Sequence, residues 1–446
     1  MALREGLAPA VAPKDGDDPL NLLLRGSYPD PEAGKPVGVA TRSLVIADSL
    51  GGREADLVTD LNLGKTLAVV SDPTTHQVLG ARVEAALRDR FDIVSLVLPT
   101  GVVPDDATVT RLRVASAKAD AFIAVGSGTI NDLAKYASAL EHKPYAVFAT
   151  APSMNGYVSL TASITVHGHK LTLPAQAPSG AFFDLGVLAD APARMIRAGL
   201  GDSICRTTAE ADWLLSHLLF GTPYRRLPFA LLEADEPSLL DQASDLLAGS
   251  LDAMRTLART LVLSGFGTAI VGSSAPASQG EHLVSHFIDM LEPAGRPAVL
   301  HGEQVGVTTL SVARLQHTML RQQPMVHPDT ETESSVRARF GGELGGSVWE
   351  EFANKHLDRV KADTLNHTLA TQWDNIRDRL SAIMLPLARM EAVMAAAGAP
   401  TTPADIYLDR PFYESALRHG REIRNRYTML DLAASSGALL PTLPTI

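Results

Sequence analysis

Between residues 40 and 150, short apolar runs rich in β-branched residues alternate with stretches of helical periodicity, and few folds accept that alternation. The runs are Thr66–Val70, Ile93–Leu98, Ala121–Val125 and Tyr145–Ala149. Helical patterns lie between them at His76–Arg90, Ala107–Lys118 and Thr129–Leu140, the first with Val78, Leu79, Val83, Ala86 and Leu87 as its apolar positions. Strands joined through helices pair in parallel, so this part of the chain predicts a doubly wound parallel sheet of the dinucleotide-binding type. Residues 157–173 alternate with period two and predict a hairpin, Tyr157–Val166 returning through Lys170–Leu173 with its turn at Gly168.

Beyond about residue 190 the pattern is almost entirely helical, in long Leu- and Ala-rich segments broken at Pro223, Pro237, Pro293, Pro324, Pro328 and Pro400. The fold class expected is an α/β N-terminal dinucleotide-binding domain, a doubly wound parallel sheet with a hairpin, followed by an all-α C-terminal domain. Residues 1–36 are rich in Pro, Gly and Asp without periodicity and are expected to be a poorly ordered or surface-lying extension. The dinucleotide-binding domain is then assigned to residues 37–198 and the helical domain, which carries the metal and substrate candidates, to 199–446.

Lys plus Arg number 39 against 50 Asp plus Glu, a net charge of −11, and no basic block stands out, which argues against a nucleic-acid partner. Cys205 is the single cysteine, so an intramolecular disulfide is impossible and a reducing compartment is the natural setting. The N-terminus lacks the apolar stretch of a secretory signal. The longest apolar stretches, Leu261–Gly272 and Ile383–Ala397, fall short of the roughly 18 residues a membrane span needs. The reading is a soluble, cytoplasmic protein.

Three motifs carry chemistry. The run Ala121–Val125 leads directly into Gly126-Ser127-Gly128-Thr129 and on through Asp132 into a helix; this junction suits a diphosphate, and equally describes a tight turn. Asp72 follows the run Leu67–Val70, where a carboxylate commonly takes the ribose hydroxyls and repels a 2′-phosphate, favouring NAD over NADP; Asp72 is also a good N-cap. Finally, His282 and His286 stand four apart, which on a helix sets both imidazoles on one face, and His301 arrives at the next helical start. With Asp202, which could otherwise be a helix cap, they make a carboxylate-plus-imidazole set able to hold a divalent ion and polarise a carbonyl.

Together Asp202, Glu281-His282-x3-His286, His301-Gly302-Glu303 and the Gly126–Asp132 loop resemble the iron-containing alcohol dehydrogenase and dehydroquinate synthase superfamily. Thr150–Ser153, Asn155–Ser159, Lys170 ahead of Phe183-Asp184, and the run from Arg424 to Asp431 make the chain look most like the glycerol-1-phosphate dehydrogenase branch, the AraM-type bacterial proteins included. The similarity covers roughly residues 40 to 435.

The resemblance implies that Asp202, His282 and His301 are metal ligands and that His286 faces the substrate. It also implies that Gly126, Ser127, Gly128, Thr129 and Asp132 serve the NAD or NADP diphosphate, with Thr150, Ser153 and Ser159 along the cofactor path and Asp72 at the ribose. The metal would be Zn²⁺, Ni²⁺ or Fe²⁺, which mixed oxygen and nitrogen ligation does not distinguish. Where the family usually has a substrate-contacting aspartate, this chain has Asn155, whose amide can donate and accept but cannot act as a base.

The activity implied is reversible hydride transfer between NAD(P)H and dihydroxyacetone phosphate, giving sn-glycerol 1-phosphate. Asp202 and His286 are the catalytic candidates, the first through the metal and the second as a proton carrier. Asn155, His286 and Lys170 are the substrate-facing candidates, and Lys170 and Arg206 are the nearest in sequence for gripping its phosphate, each of which equally fits a solvated surface charge. The partners expected are therefore a small phosphorylated ketone or alcohol and, in a homo-oligomer, further copies of the chain. The rival readings are a polyol or glycerol dehydrogenase without phosphate recognition and a cyclase of dehydroquinate synthase type, which would consume no net NADH.

Overall fold

The computed structural model describes residues 18–166 and 169–439, the side chains of His169 and Lys170 excepted. By internal contacts the chain forms two units: residues up to Ser203 together with Arg225–Ser274, and Ile204–Tyr224 together with the chain from Ala275 onward.

The first unit is built on β1 (Ser43–Ala47), β2 (Thr66–Ser71), β3 (Asp92–Val97), β4 (Ala121–Gly126), β5 (Tyr145–Ala149), β6 (Thr161–Val166), β7 (His169–Pro174) and β8 (Gly180–Asp184). Six of these form one sheet in the order β1-β8-β5-β4-β2-β3, every pair parallel. The inner strands are buried on both faces, which is why they read as continuous apolar runs: Leu67–Val70, Ala121–Val125 and Tyr145–Ala149 are all out of solvent. Connecting helices at Ala81–Leu87, Asp106–Ala115 and Gly128–Leu140 match the periodic stretches, the first entered through a wide π-type turn at His76–Gly80. β6 and β7 pair antiparallel, Val166 opposite His169, which places them as the expected hairpin; its turn at Gly168 lies outside the described residues.

Two strands of the sheet stand outside the four runs that the pattern singled out. β8 inserts between β1 and β5, in register Ala146↔Gly180 through Ala149↔Phe183. Its five residues, Gly-Ala-Phe-Phe-Asp, hold only two large apolar side chains, so local pattern is weak, and the contact Phe148–Phe182 (4.9 Å between centroids) supplies the burial instead.

The expectation of a loose N-terminal extension needs correction for residues 18–36. Pro19–Leu24 is a helix capped by Asp18, with Leu20 and Leu23 buried, and Tyr28 pairs with Val37. Asp18 also accepts from Arg259 at 2.9 and 3.0 Å, and Arg225 pairs with Asp30. A segment this short shows no periodicity; its anchoring comes from a few apolar side chains and two ion pairs to distant residues.

Among its described residues, the regular elements of the second unit are helices. Its core gathers Leu283, Val284, Phe287 and Ile288 from the helix Gly280–Met290 with Val307, Val312 and Leu315 from the helix His301–Met319, Phe352, and Trp373. Among the described residues, no helix is long and apolar enough to cross a membrane.

Candidate active site

In the first unit, β4 ends at Gly126 and the chain turns straight into the helix Gly128–Leu140. A Cβ on Gly126 would stand 2.5 Å from that of Ile130, so the turn closes this tightly only with glycine. Ser127 occupies the N-cap position with extended backbone and makes no capping side-chain bond. The first-turn N–H groups of a 13-residue helix are thus left for an outside acceptor, as a diphosphate site requires. Thr150, buried at the end of β5, donates its N–H to Gly126 O and holds the two strand ends together.

Other candidates near this turn have structural partners. Asp132 accepts from Ser163 N at 3.0 Å and so ties the helix to β6. Asp72 caps the turn that follows β2, accepting from Thr75 N at 2.8 Å in a capping box. The Ser153 side chain bonds Tyr157, whose hydroxyl donates to Ala151 O. The Ser159 hydroxyl donates to backbone oxygens of Gly156 and Thr161 and accepts from Lys135. The Lys170 side chain lies outside the described residues, although its backbone pairs with Thr165.

Asp202, 3% exposed, sits near the end of the helix Ala193–Ile204, and its Oδ2 accepts the backbone N–H of Asn155 at 2.7 Å. The Asn155 amide donates in turn to Ser264 Oγ at 3.2 Å. Two glycines allow this loop to approach: a Cβ on Gly199 would lie 1.7 Å from Pro152 O, and one on Gly265 2.5 Å from Asn155 O.

In the second unit the three imidazoles come together: the spacing gave the shared face of His282 and His286, and the fold adds His301 from a separate helix. Ring centroids lie 5.9 Å apart for His282–His286, 5.2 Å for His282–His301 and 5.9 Å for His286–His301, the last pair nearly parallel. His282 is 5% exposed, whereas His286 and His301 keep partial exposure. Arg206, a phosphate candidate, pairs with Glu210 at 2.8 Å.

Two carboxylates that the sequence reading gave no role support this cluster. Glu281 is fully buried; its Oε1 accepts the Nδ1–H of His282 at 2.9 Å, and its Oε2 accepts from Thr208 at 3.1 Å. Burial pushes its pKa up, but the bond to His282 and the Gln279 N–H outweigh burial and hold it below the usual carboxylate value. Asp212, also fully buried, accepts from Gly280 N, Met429 N and Gln316 Nε2, tying the start of the Gly280–Met290 helix to its neighbours. Burial and, after it, the Glu281 charge raise Asp212 to about 7. The adjacent pair Glu281-His282 was legible as a signal; Asp212 had none.

The parallel sheet with its uncapped helix start after a glycine turn lies almost wholly in residues 45–192, which the iron-containing alcohol dehydrogenase family model matches. Solved structures agree on the fold. A probable glycerol dehydrogenase from Sinorhizobium meliloti superposes with TM-score 0.59 at 16% identity, covering 91% of this chain and 98% of that one. A 1,3-propanediol oxidoreductase gives 0.60 at 13% identity, covering 90% and 98%. Among curated sequences, the glycerol-1-phosphate dehydrogenase, NAD(P)+, of Halalkalibacterium halodurans is 31% identical over 70% of this chain and 84% of its own length. That of Geobacillus stearothermophilus is 31% identical over 82% and 85%. The chain belongs to the glycerol-1-phosphate dehydrogenase family.

Proposed function

We propose that this protein catalyses NAD(P)H-dependent reduction of dihydroxyacetone phosphate to sn-glycerol 1-phosphate, with Asp202, His282 and His301 holding one divalent ion. The observation that carries the reading is the Glu281–His282 bond beside His286 and His301: the carboxylate takes Nδ1–H, so Nε2 of His282 is left as a lone-pair donor. A buried carboxylate and imidazoles are a donor set that zinc, nickel and ferrous iron all accept. A bound ion would supply Lewis-acid polarisation of the substrate carbonyl.

The protein's own groups do the rest. The uncapped helix start at Gly128 takes the coenzyme diphosphate and orients the nicotinamide, and Asp72 takes the ribose and favours NAD. Asn155, held by Asp202 and Ser264, presents an uncharged amide edge to substrate, and the partly exposed His286 passes a proton to the product oxygen. On this reading residues 37–198 bind coenzyme and residues 199–446 carry the metal and substrate chemistry, in a cytoplasmic homo-oligomer.

The test is a panel of dihydroxyacetone phosphate and dihydroxyacetone, each with NADH and NADPH, followed by metal analysis of D202A and H282A. The proposal requires stoichiometric NADH oxidation with a strong preference for the phosphorylated ketone, and loss of metal and turnover in both variants. Equal turnover of the two ketones would favour a polyol dehydrogenase, and product without net NADH loss would favour a cyclase.

A further inference from the structure

Lys135 is the fully buried lysine of the Gly128–Leu140 helix, which begins at the diphosphate turn. Burying an ammonium is costly unless its protons are satisfied, and here each has an acceptor: Gly156 O, Thr161 O at 3.0 Å and Ser159 Oγ at 3.2 Å. Asp132 Oδ1 stands 3.9 Å away. Gly156 and Ser159 belong to the loop that follows β5 and carries Asn155, and Thr161 opens β6. The same loop is closely approached by Gly199 at Pro152 and by Gly265 at Asn155. At its apex the Asn155 N–H reaches Asp202 Oδ2 at 2.7 Å.

We infer that Lys135 is a positioning residue: by holding Gly156, Ser159 and Thr161, it sets the Asn155 N–H against Asp202 Oδ2 and so fixes the orientation of the Asp202 carboxylate. The inference rests on the reading of Asp202 as a metal ligand. A carboxylate held by a backbone donor presents one oxygen in a fixed direction, whereas a free one rotates, and groups that orient a ligand in this way are typically worth about 10–100-fold in metal affinity. Lys135 thereby links the helix that receives the coenzyme to the residue that receives the ion.

The experiment uses the full chain and its variants K135M and D202N. Zn²⁺ dissociation constants come from chelator competition, NADH affinity from fluorescence, and kcat and KM from ketone reduction well below the melting temperature. K135M is expected to bind Zn²⁺ about 10–100-fold more weakly and to lose kcat in proportion. NADH affinity is expected to fall by a smaller factor than Zn²⁺ affinity, because the first-turn N–H groups of the Gly128–Leu140 helix lie about two turns ahead of Lys135. A role confined to stability would lower the melting temperature and leave the Zn²⁺ constant of the folded protein unchanged, which overturns the inference. If K135M does not fold, K135Q, which keeps two donors, carries the same test with the same criterion. D202N separates the two ideas: wild-type Zn²⁺ affinity in D202N removes the ligand reading itself, while loss in D202N without loss in the Lys135 variants removes only this inference.

Discussion

Glu281 Oε1 lies 2.9 Å from Nδ1 of its neighbour His282, so an adjacent pair in sequence forms a carboxylate–imidazole couple buried in the second unit. The carboxylate fixes both the tautomer and the ring orientation. E281A is therefore expected to weaken divalent-ion affinity by about 10–100-fold, with E281Q intermediate because an amide oxygen still accepts but carries no charge. Chelator competition on folded protein measures this, and unchanged affinity in E281A would sink the assignment.

Asp72 combines a cap with a proposed ribose contact, and D72N separates them. Asparagine caps about as well as aspartate, so thermal stability should move by only a few tenths of a kcal/mol. Loss of the charge should raise kcat/KM for NADPH relative to NADH several-fold, by about 1 kcal/mol. An unchanged coenzyme ratio would leave Asp72 as a cap alone.

Gly199 permits the helix Ala193–Ile204 to touch Pro152 O, which a Cβ would meet at 1.7 Å. Because the obstacle is backbone, G199A should cost at least about 1–3 kcal/mol in urea unfolding and should also weaken metal binding through Asp202. A fully stable, metal-replete G199A would contradict the packing described.

Leu23 is completely buried in the short N-terminal helix. L23A should destabilise the first unit by about 2–5 kcal/mol, as deletion of a core leucine does. A surface-lying segment would give less than about 0.5 kcal/mol, and denaturant midpoints distinguish the two.

Burial lowers Lys135 to about 8, against a smaller upward pull from Asp132. An unfolded lysine titrates near ~10.4, so between these values the unfolded chain binds more protons than the folded one. This group therefore makes stability rise with pH across that window, while below it the cost of burying the charge is present in full. Function moves the other way, because the neutral amine has one donor fewer for the loop. The charged group beside it is Asp132, and the two buried tyrosines that feel the same carboxylate, Tyr145 and Tyr157, are pushed further up by burial, outside the window. In the wild type, kcat and Zn²⁺ affinity should fall through about pH 8, and K135M should lack that limb. Identical alkaline profiles in both proteins would refute it.

The pair His282 and His286 was legible because its chemistry is written in spacing: positions four apart on a helix share a face wherever that helix is placed, whereas His301 joins them from a separate helix. The inner strands were legible because burial on both faces demands unbroken apolar runs. Lys135 and Asp212 were not. A lysine or aspartate looks the same in sequence whether solvated or buried, and their roles depend on acceptors and donors more than 20 and up to 217 residues away.

Local periodicity, glycine placement and residue chemistry by themselves determined the kinds of element, the glycine turn after β4 and the shared face of His282 and His286. Only the tertiary structure decided that β8 slots between β1 and β5, that residues 18–36 are anchored, and that Asn155 meets Asp202. The physical reason is range: helix and strand preferences act within a few residues, whereas strand order and the partners of buried polar groups are set by contacts that the chain makes only once it has closed on itself.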